Sequence, residues 1–291
     1  MKLGRVLRWE LRRTLQSKQF LLMTILIPAI VAMAVFAYTM AAGTEPGSSG
    51  TFTEPPPPAV IAVFLAVILF MGAFLSGVMT LYSVVKEKQS RVVEMVLSSV
   101  SAWEMMAGKI LGLGIAGLVQ VTIWAATAYF VAGRFLPLSL ASLSLVHWIT
   151  FPLYFILGFL LIASLYAAVG SVMRDIQSGG ASGLVGIVPY VPILFAAFII
   201  QNPGNLVVRI AGFLPPFAPS VMMLRIAATP MVSEGARSVP SWEIAVSLLS
   251  LALGVFLTMR FAARVFEVGM LMYGKSATLR ELWRWGRTRR S

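Results

Sequence analysis

Ala59–Val85, 27 residues long, and Ile110–Ala132, 23 residues long, carry no charged residue. A bilayer core takes about 20 apolar residues per helix, so each run is long enough to cross it. In hydrocarbon a helix satisfies its own backbone amides and carbonyls, which excludes most other conformations for such runs. Between them lies Lys86–Lys109 (KEKQSRVVEMVLSSVSAWEMMAGK), the only charge-dense stretch in the chain interior. Charged side chains are costly in hydrocarbon, so this segment belongs outside the membrane, where it can meet a soluble partner.

Charged residues make up only 12% of the 291, against about a quarter in globular proteins, and 58% are hydrophobic. Six spans fit the apolar runs: Phe20–Ala42, Ala59–Val85, Ile110–Ala132, Ile149–Met173, Leu184–Ile200 and Trp242–Phe266. The fold class is therefore all-α integral membrane. The net charge of +12 is unevenly spread. With the N-terminus inside, Lys and Arg number 6 in Met1–Gln19, 4 in Lys86–Lys109, 1 at Arg174 and 8 from Arg260 onward. Outer segments hold only Arg134, Arg209, Arg225 and Arg237. This asymmetry places both termini of a multi-pass protein in the cytoplasm. It also makes the lipid bilayer, not nucleic acid, the expected partner of the basic surface. A signal peptide has an apolar core of about 7–15 residues, and the longer first run is retained as a span. There is no cysteine, so no disulfide can form.

The segments outside the spans have distinct characters. Residues 1–19 read as an interfacial amphipathic helix, with Leu3, Val6, Leu7, Leu11 and Leu15 on one face and Arg5, Arg8, Arg12 and Arg13 on the other. Glu10 falls on the apolar side and is assigned a local pair with Arg13, one turn on. Gly43–Pro58 is a short extracytoplasmic loop that its prolines keep extended. Pro189 and Pro192 kink the fifth span. Residues 204–231 are too interrupted to cross again. Leu206–Leu214 and Ser220–Ala228 each form a short helix there, separated by Pro215, Pro216 and Pro219, in a re-entrant segment at the outer surface. The six-span domain covers 20–266, and 267–291 is a basic cytoplasmic tail whose Trp283, Trp285 and arginines suit a membrane surface.

Enzyme chemistry finds little to work with. Gly269–Ser276 matches the phosphate-loop pattern GxxxxGKS, but a span precedes it where that loop needs a strand, and only 15 residues follow. A zinc protease needs several histidines and carboxylates, and His147 is the only histidine; an aspartyl mechanism needs two aspartates, and Asp175 stands alone. No catalytic, metal or cofactor-binding residue is assigned. Among polar residues within the spans, Gln120 is read as a helix–helix hydrogen bond or a pathway group, with Thr122 beside it. Ala163, Ala167 and Ser171 form a close-packing stripe.

The charged segment carries the specific signal. Glu87 and Arg91 are four apart and Arg91 and Glu94 three apart, so the second span continues as a charged helix. Ser98-Ser99 ends it. Ser101-Ala-Trp-Glu104 is a capping box that starts the helix leading into the third span. A turned helix pair projects from the membrane with Trp103 free to dock; an ordinary solvated loop is the alternative.

Glu87-Lys-Gln-Ser-Arg-Val-Val-Glu-Met-Val-Leu-Ser-Ser, with Trp103-Glu104 and Gly108-Lys109-Ile110-Leu111-Gly112, resembles the signature between the second and third spans of ABC type-2 exporter permeases, and among them the NatB-like sodium-efflux permeases. Pro216-Phe217-Ala218-Pro219 with Met222 and Arg225 resembles their outer re-entrant segment, and Phe261–Trp285 their C-terminal end. The resemblance implies the ABC type-2 exporter fold in a bacterial inner membrane. It also implies a separate ABC ATP-binding subunit holding ATP and Mg, and a second permease copy, identical or paralogous. Coupling to the ATPase falls to Glu87, Arg91, Glu94, Trp103 and Glu104. The pathway falls to Gln120, Thr122, Pro189, Pro192, Pro216, Phe217, Pro219 and Met222. One departure stands out: Gly43–Pro58 replaces the large extracytoplasmic domain common in NatB-like proteins. The scarcity of carboxylates in the spans favours a hydrophobic or amphipathic cargo (drug, lipid or peptide) over sodium. The competing class is a non-transporting membrane scaffold or receptor.

Overall fold

Apolar runs of this length fold as helices, and the computed structural model describes residues 2–41, 58–89, 101–135, 145–173, 188, 191–228 and 239–271, which hold ten helices and no strand. In chain order they are α1 (Lys2–Leu15), α2 (Lys18–Ala41), α3 (Pro58–Gln89), α4 (Ala102–Phe135), α5 (Leu145–Val172), α6 (Val191–Leu194), α7 (Ala196–Gln201), α8 (Leu206–Phe213), α9 (Ala218–Ala228) and α10 (Ser241–Leu271). Of the six apolar runs, five fall on single helices. Among the described residues, three stretches are long and apolar enough to cross a membrane: Trp103–Thr127, Ile149–Val172 and Ser241–Gly269.

The fifth run differs from expectation. Over its described part, Leu184–Ile200 is not one kinked span but two short helices, α6 and α7. The chain turns at Phe195, whose N–H donates to the Pro192 carbonyl at 3.1 Å. Pro192 itself sits in the first turn of α6, where a missing N–H is tolerated. The next stretch follows its sequence closely. Asn205 caps α8 by accepting from the Val207 N–H at 2.9 Å, a turn follows at Pro215-Pro216, and α9 begins at Ala218. Pro219 sits in the first turn of α9, where a missing N–H is tolerated.

The main core joins α3, α4, α5 and α10 around Val84, Val85, Met106, Ile110, Phe159, Ala163, Tyr166, Ala262 and Phe266. Glycine lets these helices approach. Gly77 of α3 lies under Ile162 and Tyr166 of α5, Gly170 of α5 meets the Leu81 carbonyl, and Gly254 of α10 meets Pro215. Ala163, Ala167 and Ser171, read as a packing stripe, are all buried. A further cluster gathers α7, α8 and α9 around Ile199, Ile200, Val208, Val221 and Leu224. α2 is pinned to α4 where the Trp124 indole N–H donates to the Thr24 carbonyl at 3.2 Å.

α1 is the helix its periodicity predicts, but protein occupies the face that the sequence assigns to lipid. It packs along α4, where Gly108 lies against Val6 and Gly112 against the Leu7 carbonyl and Glu10. A methyl group at Gly112 would come within 3.0 Å of the Leu7 carbonyl oxygen, a backbone atom that cannot swing away. Gly112→Ala should therefore destabilise the protein despite a helix-propensity gain of about 1 kcal/mol. Gly4→Ala, which meets nothing within 4 Å, should be neutral or stabilising. Melting temperatures in detergent compare the two, and equal shifts would mean that α1 does not seat on Gly112.

Candidate functional site

The charged segment spans the end of α3 and the start of α4. Arg91 and Glu94 lie outside the described residues; the anchors on either side are well defined. Ser101 and Glu104 form the expected capping box: the Glu104 N–H donates to Ser101 Oγ at 3.2 Å, and the Ser101 N–H donates to Glu104 Oε2 at 3.2 Å. Trp103, one residue into α4, is 47% exposed. Glu104 is engaged in the cap, while the indole is open to solvent.

Glu87 does not lie on this surface. It is buried, and its carboxylate accepts from Lys109 Nζ at 2.5 Å. Lys109, only 1% exposed, also donates to Glu10 Oε2 at 3.0 Å and to Ser83 Oγ at 2.6 Å. Ser83 Oγ in turn donates to Glu10 Oε1 at 2.7 Å. Glu10 thus pairs with Lys109 of α4, not with Arg13. Arg13 reaches Glu87 at 3.4 Å and lies over the Trp9 ring. The physical reason is desolvation: an ammonium this deeply buried requires carboxylates at contact distance, a stronger demand than an exposed i,i+3 pair. Burial pushes the Glu87 carboxyl above its ordinary 4.5, and the Lys109 ammonium pulls against that rise. The next residue, Lys88, turns the other way and donates to the Ser171 carbonyl at the end of α5 at 2.5 Å. Burial pushes its ammonium below the ordinary 10.5.

A second buried charge cluster lies toward the other end of α10. From Glu243 to Gly269 that helix rises about 39 Å, at 1.5 Å per residue. Arg225 of α9 donates to Glu243 Oε2 at 2.7 Å and, through Nε, to the Pro203 carbonyl at 2.9 Å. Arg209 of α8 pairs with Glu243 Oε1 at 2.9 Å and lies over the Trp242 ring. Ser247 and Ser250 donate to the carbonyls of Gly212 and Phe213, each at 2.6 Å. The short helices are thereby fastened to α10.

The expected pathway residues that are described lie on α4, on α6 and in the turn into α9 and its first turns. Gln120 is fully buried on α4, and among the described residues neither of its amide atoms has a hydrogen-bond partner. Thr122 is exposed and donates to the Leu118 carbonyl of its own helix at 2.8 Å. Pro189 lies outside the described residues. Pro192 is buried on α6, Pro216 exposed and Phe217 half-buried in the turn before α9. Met222 is buried beside Arg225, whose guanidinium reaches its sulfur at 3.5 Å. Pro219 lines an apolar cavity of about 10 Å³ with Ala73, Tyr154, Phe155, Gly158, Ile162 and Met223, room for no more than a water.

Sequence reasoning missed Lys109 as a hub and the Arg225–Glu243 pair. A signal existed for the second: Arg225 sits in an otherwise apolar helix, and a buried guanidinium needs a carboxylate. Gly269, first residue of the phosphate-loop match, is helical and packs against Ser171. Among the described residues no group of three or more His, Cys, Asp or Glu is placed to hold a metal.

Comparison with known proteins decides the class. The family model of ABC-2 family transporter proteins matches residues 48–264. The chain belongs to this ABC-2 transporter family. It is 30% identical to the uncharacterized protein MJ1024 of Methanocaldococcus jannaschii over 222 residues, covering 74% of this chain and 51% of that protein. It is 27% identical to the uncharacterized protein YhaP of Bacillus subtilis over 233 residues, covering 74% and 52%. The chain spans about half the length of these curated relatives. The ABC-2 match takes in Glu87, Lys109, Arg225 and Glu243; α1, with Glu10, precedes it.

Breaking the buried pair by Glu243→Ala should cost about 3–5 kcal/mol, because it strands Arg225. Arg209→Ala, at a half-exposed partner, should cost far less. Melting temperatures in detergent would rank them, and equal losses would mean that Arg225 is not held by Glu243. The raised Glu87 carboxyl gives a pH signature. The folded protein binds that proton more tightly than the unfolded chain, so its contribution is full below pH 4.5 and is lost as pH rises through the raised value. Glu87→Gln should flatten that part of the stability profile; an unchanged profile would show that Glu87 does not titrate there.

Proposed function

We propose that this ABC-2 chain is the permease component of an ATP-driven exporter in the cell membrane. A separate ABC ATP-binding subunit carries ATP and Mg, and two permease copies, identical or paralogous, enclose the pathway. The observation that carries the reading is the capping box that starts α4 and presents an exposed Trp103, in a chain of this transporter family. Buried aromatics dominate many interfaces, and an exposed indole beside a charged segment is suited to docking. Both termini lie in the cytoplasm, α1 and the basic tail rest at the membrane surface, and the 204–231 helices are re-entrant at the outer face. The NatB-like resemblance belongs to this reading as well.

The cargo is hydrophobic or amphipathic. Among the described residues the buried carboxylates are Glu10, Glu87 and Glu243, and each is paired with a cation of the same chain. A sodium site needs oxygen ligands that are not already neutralised in this way. In vesicles holding the chain and its ATP-binding subunit, ATP should drive efflux of an amphipathic dye and leave sodium in place. Saturable, ATP-dependent sodium efflux would overturn the cargo. A chain that purifies without an ATP-binding subunit and moves nothing would be a scaffold or receptor. Trp103→Ala should weaken subunit association or uncouple hydrolysis from transport, and wild-type assembly with wild-type transport would remove Trp103 from the interface.

A further inference from the structure

The segment between α3 and α4 has two roots, and both end in buried charge. Glu87 lies on the last turn of α3 and Lys109 two turns into α4; their ion pair binds the roots to each other. Glu10 brings α1 onto the same ammonium, and Gly108 and Gly112 seat α1 against the same face of α4. Lys88 continues the linkage by holding the last turn of α5 through Ser171, against which Gly269 of α10 packs. The two roots and α1 are thus joined through one buried ammonium.

Buried ion triads are seldom kept for stability, since apolar residues of similar volume often serve as well or better. What a triad does supply is a fixed register among the helices that contribute to it. We propose that Lys109 is a positioning residue for transport, the hub that makes α1, α3 and α4 move as one body when the ATP-binding subunit displaces the segment between α3 and α4. This rests on the permease reading above, and it gives α1 a part in transmission instead of a purely anchoring role.

The test uses Glu10→Leu/Glu87→Leu/Lys109→Met, which removes the triad while keeping the volume apolar, and Glu10→Lys/Lys109→Glu, which moves the cation to α1 and keeps all three helices linked. Both are placed in vesicles with the co-purified ATP-binding subunit, and rhodamine 6G moved per ATP hydrolysed is measured beside melting temperature. The apolar triple variant should melt near the wild type yet lose about tenfold in dye moved per ATP, within the range of measured coupling. The relocated cation should recover most of it. Wild-type coupling in the triple variant, or a loss of coupling that only tracks a loss of melting temperature, would overturn the proposal. A partner-independent arm separates this from failure of the permease reading. Hydrogen exchange in Lys2–Leu15 should accelerate in Lys109→Met of the isolated chain, with exchange around Arg225 and Glu243 unchanged. Unchanged exchange in α1 would show that Lys109 does not hold it, whatever the chain transports.

Discussion

The buried ammonium of Lys109 is the constraint on which this end of the bundle depends. An ion of that size loses several kcal/mol on leaving water, and only close opposite charge and hydrogen bonds offset it. Lys109 finds two carboxylates and a hydroxyl, drawn from α1 and α3. Those contacts fix how far α1 can slide along α4 and how α3 is rotated toward it. The glycines at 108 and 112 then become comprehensible, since the ion pair requires a close approach that any side chain there would prevent. Packing and charge select the same register.

The second cluster applies the same physics to short elements. Helices of eight and eleven residues have little stability of their own, and α8 and α9 gain theirs by being tied to α10. Arg225 and Arg209 converge on one carboxylate, while Ser247 and Ser250 satisfy carbonyls that α8 leaves open at its C-terminal end. Buried carboxylates at the two ends of α10 are thus neutralised from within.

What could be read from sequence was what repeats or caps locally. The long helices, the Ser101–Glu104 box and the short helices around the Pro215–Pro219 turn follow from periodicity and turn chemistry within a few residues. Contacts between distant residues were not legible. Nothing within a turn of Glu10 hints that its partner stands 99 positions away, and helical spacing favoured Arg13 instead. The amphipathic pattern of α1 marked an apolar face correctly but could not say whether lipid or α4 covers it. Pro189 and Pro192 mark an irregular span in the sequence, but the turn at Phe195, three residues past Pro192, carries no local signal of its own.

Between the two clusters the described helices are close-packed, with few polar contacts such as Trp124 to the Thr24 carbonyl and Ser171 to the Val265 carbonyl. Glycines at 72, 77, 114, 117 and 170 each face a side chain or backbone of a neighbouring helix with no space to spare. Such an interior transmits displacement and does not absorb it, because packed helices deform little and shift as bodies. Charge clusters at the ends add close ion pairs, at 2.5–3.0 Å, to that packing. The close packing between the clusters and the ion pairs at the ends thus act together to hold the described helices in one arrangement.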